Sequence, residues 1–107
     1  HPGTKLVFQG GEFGQSNEWN HDQSIDWHLT ELPAHQGIQN TVKALNKLYR
    51  QEPALHIKQF DYDGFEWIEG NDQGNTVISF LRKGETAKQQ IIVILNLTPI
   101  PRENYRI

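Results

Sequence analysis

Four carboxylates and three large aromatics crowd one short stretch of this sequence. Glu12, Glu18, Asp22 and Asp26 interleave with Phe13, Trp19 and Trp27. Carboxylates and amides grip hydroxyl groups directionally, and aromatic faces stack on the apolar face of a pyranose ring. The combination suits a surface that holds carbohydrate. Glycoside chemistry also uses paired carboxylates, at separations that the fold must set. The same residue types anchor ordered loops, because burial is the usual fate of a Trp, so both readings stand at this point.

Two other constellations carry less. His21, His28 and His35 recur every seven residues beside Asp22 and Asp26. Pro33 and polar clusters interrupt the segment, and no HExxH-type ligand set occurs, so structural or surface roles are expected for these histidines. Gly10-Gly11-Glu12-Phe13-Gly14 follows a strand-like run, as a phosphate loop would. It lacks the Gly-Lys-Ser/Thr and GxGxxG signatures and reads instead as a sharp glycine-lined turn.

These residues need elements to position them. Leu6-Val7-Phe8, inside Lys5–Phe8, is a continuous apolar run of the kind found in strands buried on both faces. Gly10 to about Ala34 is long, polar and aromatic-rich, which predicts an ordered loop rather than a linker. Ile38, Val42, Leu45 and Tyr49, with Leu48 beside them, predict an amphipathic helix from about Gln36 to Gln51, stopped by Pro53. Beyond Pro53 the pattern predicts strands. Phe65–Glu69 alternates, Asn71–Asn75 is a turn cluster, Thr76–Arg82 is a second strand, and Ile91–Leu95 a third, β-branched and expected to be central. Pro99 and Pro101 should end it. Tyr62 and Phe65 are expected to pack beneath this meander, and Trp67 in its core.

Composition narrows the function classes. The 107 residues carry 10 basic and 13 acidic side chains, a net charge of -3, which does not fit a polyanion binder and argues against nucleic acid. There is no Cys, hence no disulfide framework, thiolate metal site or cysteine nucleophile. The longest apolar run, Ile91–Leu95, is far short of a membrane span, and the opening residues lack a signal-peptide pattern. The sequence contains no Met, opens on His1-Pro2-Gly3 and closes on Tyr105-Arg106-Ile107; it is expected to be an excised piece of something longer.

Several motifs, in order, carry a resemblance. The run from Pro2 to Gln15 resembles the last barrel strand of α-amylase-family enzymes. Glu18-Trp19-Asn20-His21-Asp22 and Asp26-Trp27-His28-Leu29 are similar to the 1,4-α-glucan (glycogen) branching enzymes. So are Leu45–Arg50, Glu52-Pro53-Ala54-Leu55, Asp63-Gly64-Phe65-Glu66-Trp67-Ile68 and Asn96–Arg102.

The resemblance implies a mixed α/β fragment. Residues 1–52 would be the last β-loop-α unit of a (β/α)8 barrel, with the loop after the strand at the active-site face. Residues 53–107 would begin an antiparallel β-sandwich, the C-terminal all-β domain. It implies transfer of α-1,4-glucan segments to 6-hydroxyls through a covalent glycosyl-enzyme. No metal or organic cofactor is needed. The implied partners are α-1,4-glucan (glycogen or amylose) and the rest of the barrel, with no nucleic acid and no membrane, in the cytoplasm.

Asn20-His21-Asp22 looks like the family's stabilising-aspartate motif but is misplaced, because that motif precedes the last strand, and Gln23 stands where the branching enzymes have Glu. No catalytic residue is therefore assigned, and the chain alone is expected to be inactive. Glu12, Phe13, Gln15, Trp19 and Asn20 are the expected substrate-binding residues, on the glucan-facing wall. Trp27, the helix and Trp67 are expected to serve packing. Two alternatives stay open: an autonomous, non-catalytic carbohydrate-binding module, and a debranching or trehalose-releasing relative.

Overall fold

Among the described residues one helix is long, and prolines mark both of its ends. The computed structural model describes residues 2–107, so His1 lies outside the described residues. It divides into two units, Lys5–Gln51 and residues 2–4 with Glu52–Ile107.

In the first unit, helix α1 runs Pro33–Gln51, starting three residues before the apolar periodicity does. Pro33, an interruption by sequence alone, is its first residue. A proline fits there because its fixed φ is already helical and the first N–H of a helix has no partner to lose. The Gln36 N–H donates to the Leu32 carbonyl at 2.9 Å. At the other end Glu52 is extended, at φ -104 and ψ 101, because a following proline ring disfavours helical backbone. The apolar stripe forms as expected. It is incompletely covered: Ile38, Leu45 and Leu48 stay 42%, 57% and 44% exposed.

The expected strand at Lys5–Phe8 is absent. Leu6, Val7 and Phe8 belong to no strand and are 88%, 52% and 62% exposed. A strand exists only when a neighbour takes its backbone donors and acceptors, and no described segment pairs with this one. The first unit is therefore a loop and a helix. Its loop is ordered, with short 3₁₀ turns at Gly11–Phe13 and Trp27–Glu31.

The second unit is an antiparallel meander of β1 (Phe65–Asp72), β2 (Val77–Lys83) and β3 (Gln90–Asn96), in the order β1-β2-β3. Successive hairpins place the middle strand in the centre, so β3 is an edge strand and not the central one its β-branched composition suggested. That composition instead leaves Ile92 and Ile94 more than half exposed. Pairing of β2 with β3 is unbroken from Val77↔Asn96 to Lys83↔Gln90. Pairing of β1 with β2 slips between Trp67 and Glu69 and again between Glu69 and Asp72. Such extra residues twist and bend a strand.

The small core of this unit is Ala54, Val77 and Phe80, joined by fully buried Ser79 and Arg82. Phe65, Trp67 and Phe80 form an aromatic trio with centroids 5.0, 5.2 and 5.9 Å apart. Only Phe80 is buried. Trp67 is 57% exposed, so it flanks the core rather than filling it; it sits on β1, an edge strand that nothing described covers. Phe65 packs on Phe80 as expected, whereas Tyr62 is fully exposed in a 3₁₀ turn, Tyr62–Gly64.

The closing segment is tied to the β1–β2 turn through one carboxylate. Asp72 accepts hydrogen bonds from the Tyr105 hydroxyl at 2.6 Å and from the Asn75 side-chain amide at 2.8 Å. Arg102 donates to the Asn75 carbonyl at 2.7 Å. These bonds hold the Asp72 carboxyl below the usual aspartate range, with the Tyr105 hydroxyl as the largest cause.

Candidate functional site

The loop of the first unit carries the residues whose chemistry suits carbohydrate, and two left-handed glycines set its opening turn. Gly10 and Gly14 have φ of 83° and 67° and flank the Gly11–Phe13 turn. Glycine reaches this region without the penalty other residues meet. Gly10 is also closely approached, since a Cβ there would lie 2.7 Å from the Gln15 Cβ.

This turn sends Phe13 inward. Its side chain is fully buried, with its ring 5.6 Å from that of Trp27. His35 of α1 lies with Nδ1 2.9 Å from the Phe13 carbonyl oxygen. Phe13 is thus the core of this unit, and its expected place on a substrate-facing wall is corrected: a ring with no exposed surface has none to offer a sugar. Trp27 packs as expected on one face while remaining 55% exposed.

The other expected residues separate into two places. Glu12 lines an open groove of about 690 Å³ along α1, with Lys43, Lys47 and Arg50 among its neighbours. Trp19, 43% exposed, stands edge-on to Phe8 at 5.9 Å and tilts against His21 at 6.1 Å. Trp19, Glu18, Gln15 and Phe8 line a shallow depression of about 310 Å³. Asn20 and Gln15 line a smaller one of about 30 Å³ with Asp26. Trp19 and Asn20 therefore lie together, with Gln15 between their depressions, while Glu12 faces elsewhere.

Gln15 is engaged at both ends of its amide. Its Oε1 accepts the Asp26 N–H at 2.8 Å and its Nε2 donates to the Asn17 carbonyl at 3.2 Å. Asn17 in turn donates from Nδ2 to Asp26 Oδ2 at 2.8 Å. Asn20 Oδ1 accepts the Asp22 N–H at 2.9 Å, a local turn that points the chain back. Asn17 is the participant that sequence reading missed. An Asn amid polar residues carries no distinguishing signal until a partner nine positions away is known.

The histidines stay apart. His35 is tied to the Phe13 carbonyl, and His21 lies 3.2 Å from Asp22 on the surface. Among the described residues no three His, Asp or Glu side chains gather as a metal site. No helix among them is long and apolar enough to cross a membrane.

Comparison with known proteins finds similarity along both units. Residues 67–107 match the family described as "Alpha amylase, C-terminal all-beta domain". All 107 residues align with the 1,4-alpha-glucan branching enzyme GlgB of Aquifex aeolicus at 55% identity, covering 17% of that protein. The corresponding enzymes of Nitrobacter winogradskyi and Ralstonia nicotianae are 51% and 50% identical over the whole chain, which covers 15% and 14% of their lengths. The chain thus spans about one-sixth of the length of the curated relatives it matches. The resemblance read from its motifs holds from end to end.

Proposed function

We propose that these residues are part of a 1,4-α-glucan branching enzyme, in which the first unit closes the catalytic barrel and the second begins the C-terminal all-β domain. The observation that carries this reading is 50–55% identity across the full chain, loop and meander alike, to proteins of that name. An autonomous binding module would not require Leu6, Val7 and Phe8 to stand uncovered. A barrel would supply the neighbouring strands that they lack.

In this reading the carboxylates that cleave and re-form the glycosidic bond come from other parts of the enzyme. An aspartate displaces the α-1,4 linkage to give a glycosyl-enzyme, and a glutamate first protonates the departing oxygen. The glutamate then deprotonates the 6-hydroxyl that attacks, so configuration is retained. The present residues form one wall of the site. Trp19 offers its exposed face to a glucose ring, and Asn20 offers hydrogen bonds to hydroxyls. Glu12, in a separate groove along α1, is left out of this wall. The substrate is an α-1,4-glucan such as glycogen or amylose, and the site of action is the cytoplasm.

Trp19→Ala in the complete enzyme tests the role of the wall. One lost aromatic–sugar stack should raise KM for long amylose about five- to tenfold and shift the length of transferred chains. Unchanged KM and unchanged chain length would remove Trp19 from the site.

A further inference from the structure

The loop from Asn17 to Asp26 is closed at its base by three bonds among three residues. Asn17 Nδ2 donates to Asp26 Oδ2 at 2.8 Å, the Asp26 N–H donates to Gln15 Oε1 at 2.8 Å, and Gln15 Nε2 donates to the Asn17 carbonyl at 3.2 Å. The Gln15 N–H is itself fixed on the Gly10 carbonyl at 2.9 Å, against the glycine whose missing Cβ makes room for it. Everything between these anchor points is exposed, apart from the partly covered Ile25. Trp19 has two further ring contacts, the edge of Phe8 and the tilted ring of His21 within the loop itself.

We propose that Gln15, Asn17 and Asp26 are positioning residues: they clamp the base of the 17–26 loop, and the clamp fixes where Trp19 meets the glucan. The proposal rests on the reading of this loop as a glucan-facing wall. It reassigns Gln15, whose amide is engaged by the Asp26 N–H and the Asn17 carbonyl rather than held out to a sugar.

The physical case is one of entropy and geometry. An exposed loop with free ends samples many conformations, and the binding of a sugar must then supply the cost of ordering it. Closing the base in advance removes that cost and leaves Trp19 preorganised. The clamp acts on binding and on which glucan is accepted, and the reacting atoms are untouched. Its signature is therefore a change in KM with little change in kcat.

A partner exchange tests it in the complete enzyme. Asn17→Asp places two carboxylates where one donor met one acceptor, and the like charges open the base. KM for long amylose should rise about fivefold, the scale of one lost exposed hydrogen bond, with kcat within about twofold. The double change Asn17→Asp with Asp26→Asn restores a donor–acceptor pair in the opposite sense and should return KM to within about twofold of the starting enzyme. Asp26→Asn alone keeps an acceptor and should be nearly silent.

A double variant as impaired as Asn17→Asp would overturn the proposal. So would an Asn17→Asp enzyme with unaltered KM, or an Asp26→Asn enzyme as impaired as Asn17→Asp, which would put the charge itself on the substrate. If Asn17→Asp fails to fold, Asn17→Ala removes the donor without adding charge and should raise KM about two- to threefold; no rise refutes the clamp. An unsubstituted enzyme that forms no α-1,6 branches would instead refute the proposed function, before any variant is compared.

Discussion

Replacing Phe13 by alanine separates a core residue from a substrate contact. The ring is fully buried and lies against Trp27, beside a carbonyl that pairs with His35 of α1. Deleting a buried phenyl costs about 3–5 kcal/mol in well-packed proteins, from lost transfer free energy together with the cavity left behind. Trp27 is half exposed and can settle partly into the gap, so the lower end, about 3 kcal/mol, is expected here. That corresponds to roughly a hundredfold rise in opening of this unit.

Amide hydrogen exchange reports it directly: the α1 amides should lose about two orders of magnitude of protection, and those of the β1–β3 meander should keep theirs. Phe13→Leu retains most of the volume and should cost less than about 1.5 kcal/mol. A loss below about 1 kcal/mol for the alanine variant would refute Phe13 as the core of the unit. So would a leucine variant that leaves α1 protection intact while weakening glucan binding by the complete enzyme.

Three further outcomes follow from the second unit. Tyr105→Phe removes the bond that contributes most to the low Asp72 pKa, so that carboxyl should titrate closer to its ordinary range in a carbon-detected NMR titration. Because the folded value is depressed, the stability it contributes is present above the unfolded value and is lost as pH falls through the folded one. Unfolding of the variant should accordingly depend less on acid. Gly64→Ala would drive a Cβ into the Lys58 carbonyl oxygen, a backbone atom that cannot step aside; a cost of about 1–3 kcal/mol in urea unfolding of the meander is expected. Ile94→Lys, on an exposed position of edge strand β3, should reduce self-association of the 107-residue chain in sedimentation velocity while moving its unfolding midpoint little.

Local grammar was legible wherever its physics is local. The amphipathic spacing of Ile38, Val42, Leu45 and Tyr49 located α1, the Pro53 ring located its end, and the Asn71–Asn75 cluster located the first hairpin turn. What failed depends on neighbours. Leu6-Val7-Phe8 has the composition of a strand, but pairing is a property of two segments. The β-branched richness of β3 was read as centrality, whereas strand order follows from connectivity.

In the loop, residue type suggested a carbohydrate surface but could not tell Phe13, which points inward, from its neighbours. Nor could it show that Asn17 and Asp26 meet across nine positions. Burial and long-range polar pairing emerge only when the chain is closed.

If this segment belongs to an enzyme that builds α-1,6 branches, the complete protein must branch linear amylose. The direct measurement is to recover the complete protein that contains it, incubate it with linear amylose, and count α-1,6 linkages by their anomeric proton signals, with the 107-residue chain assayed alongside. New α-1,6 signals are expected from the complete protein and none from the chain alone. A complete protein that leaves amylose unbranched would refute that membership, and an isolated chain that branches it would refute the absence of catalytic carboxylates from these residues.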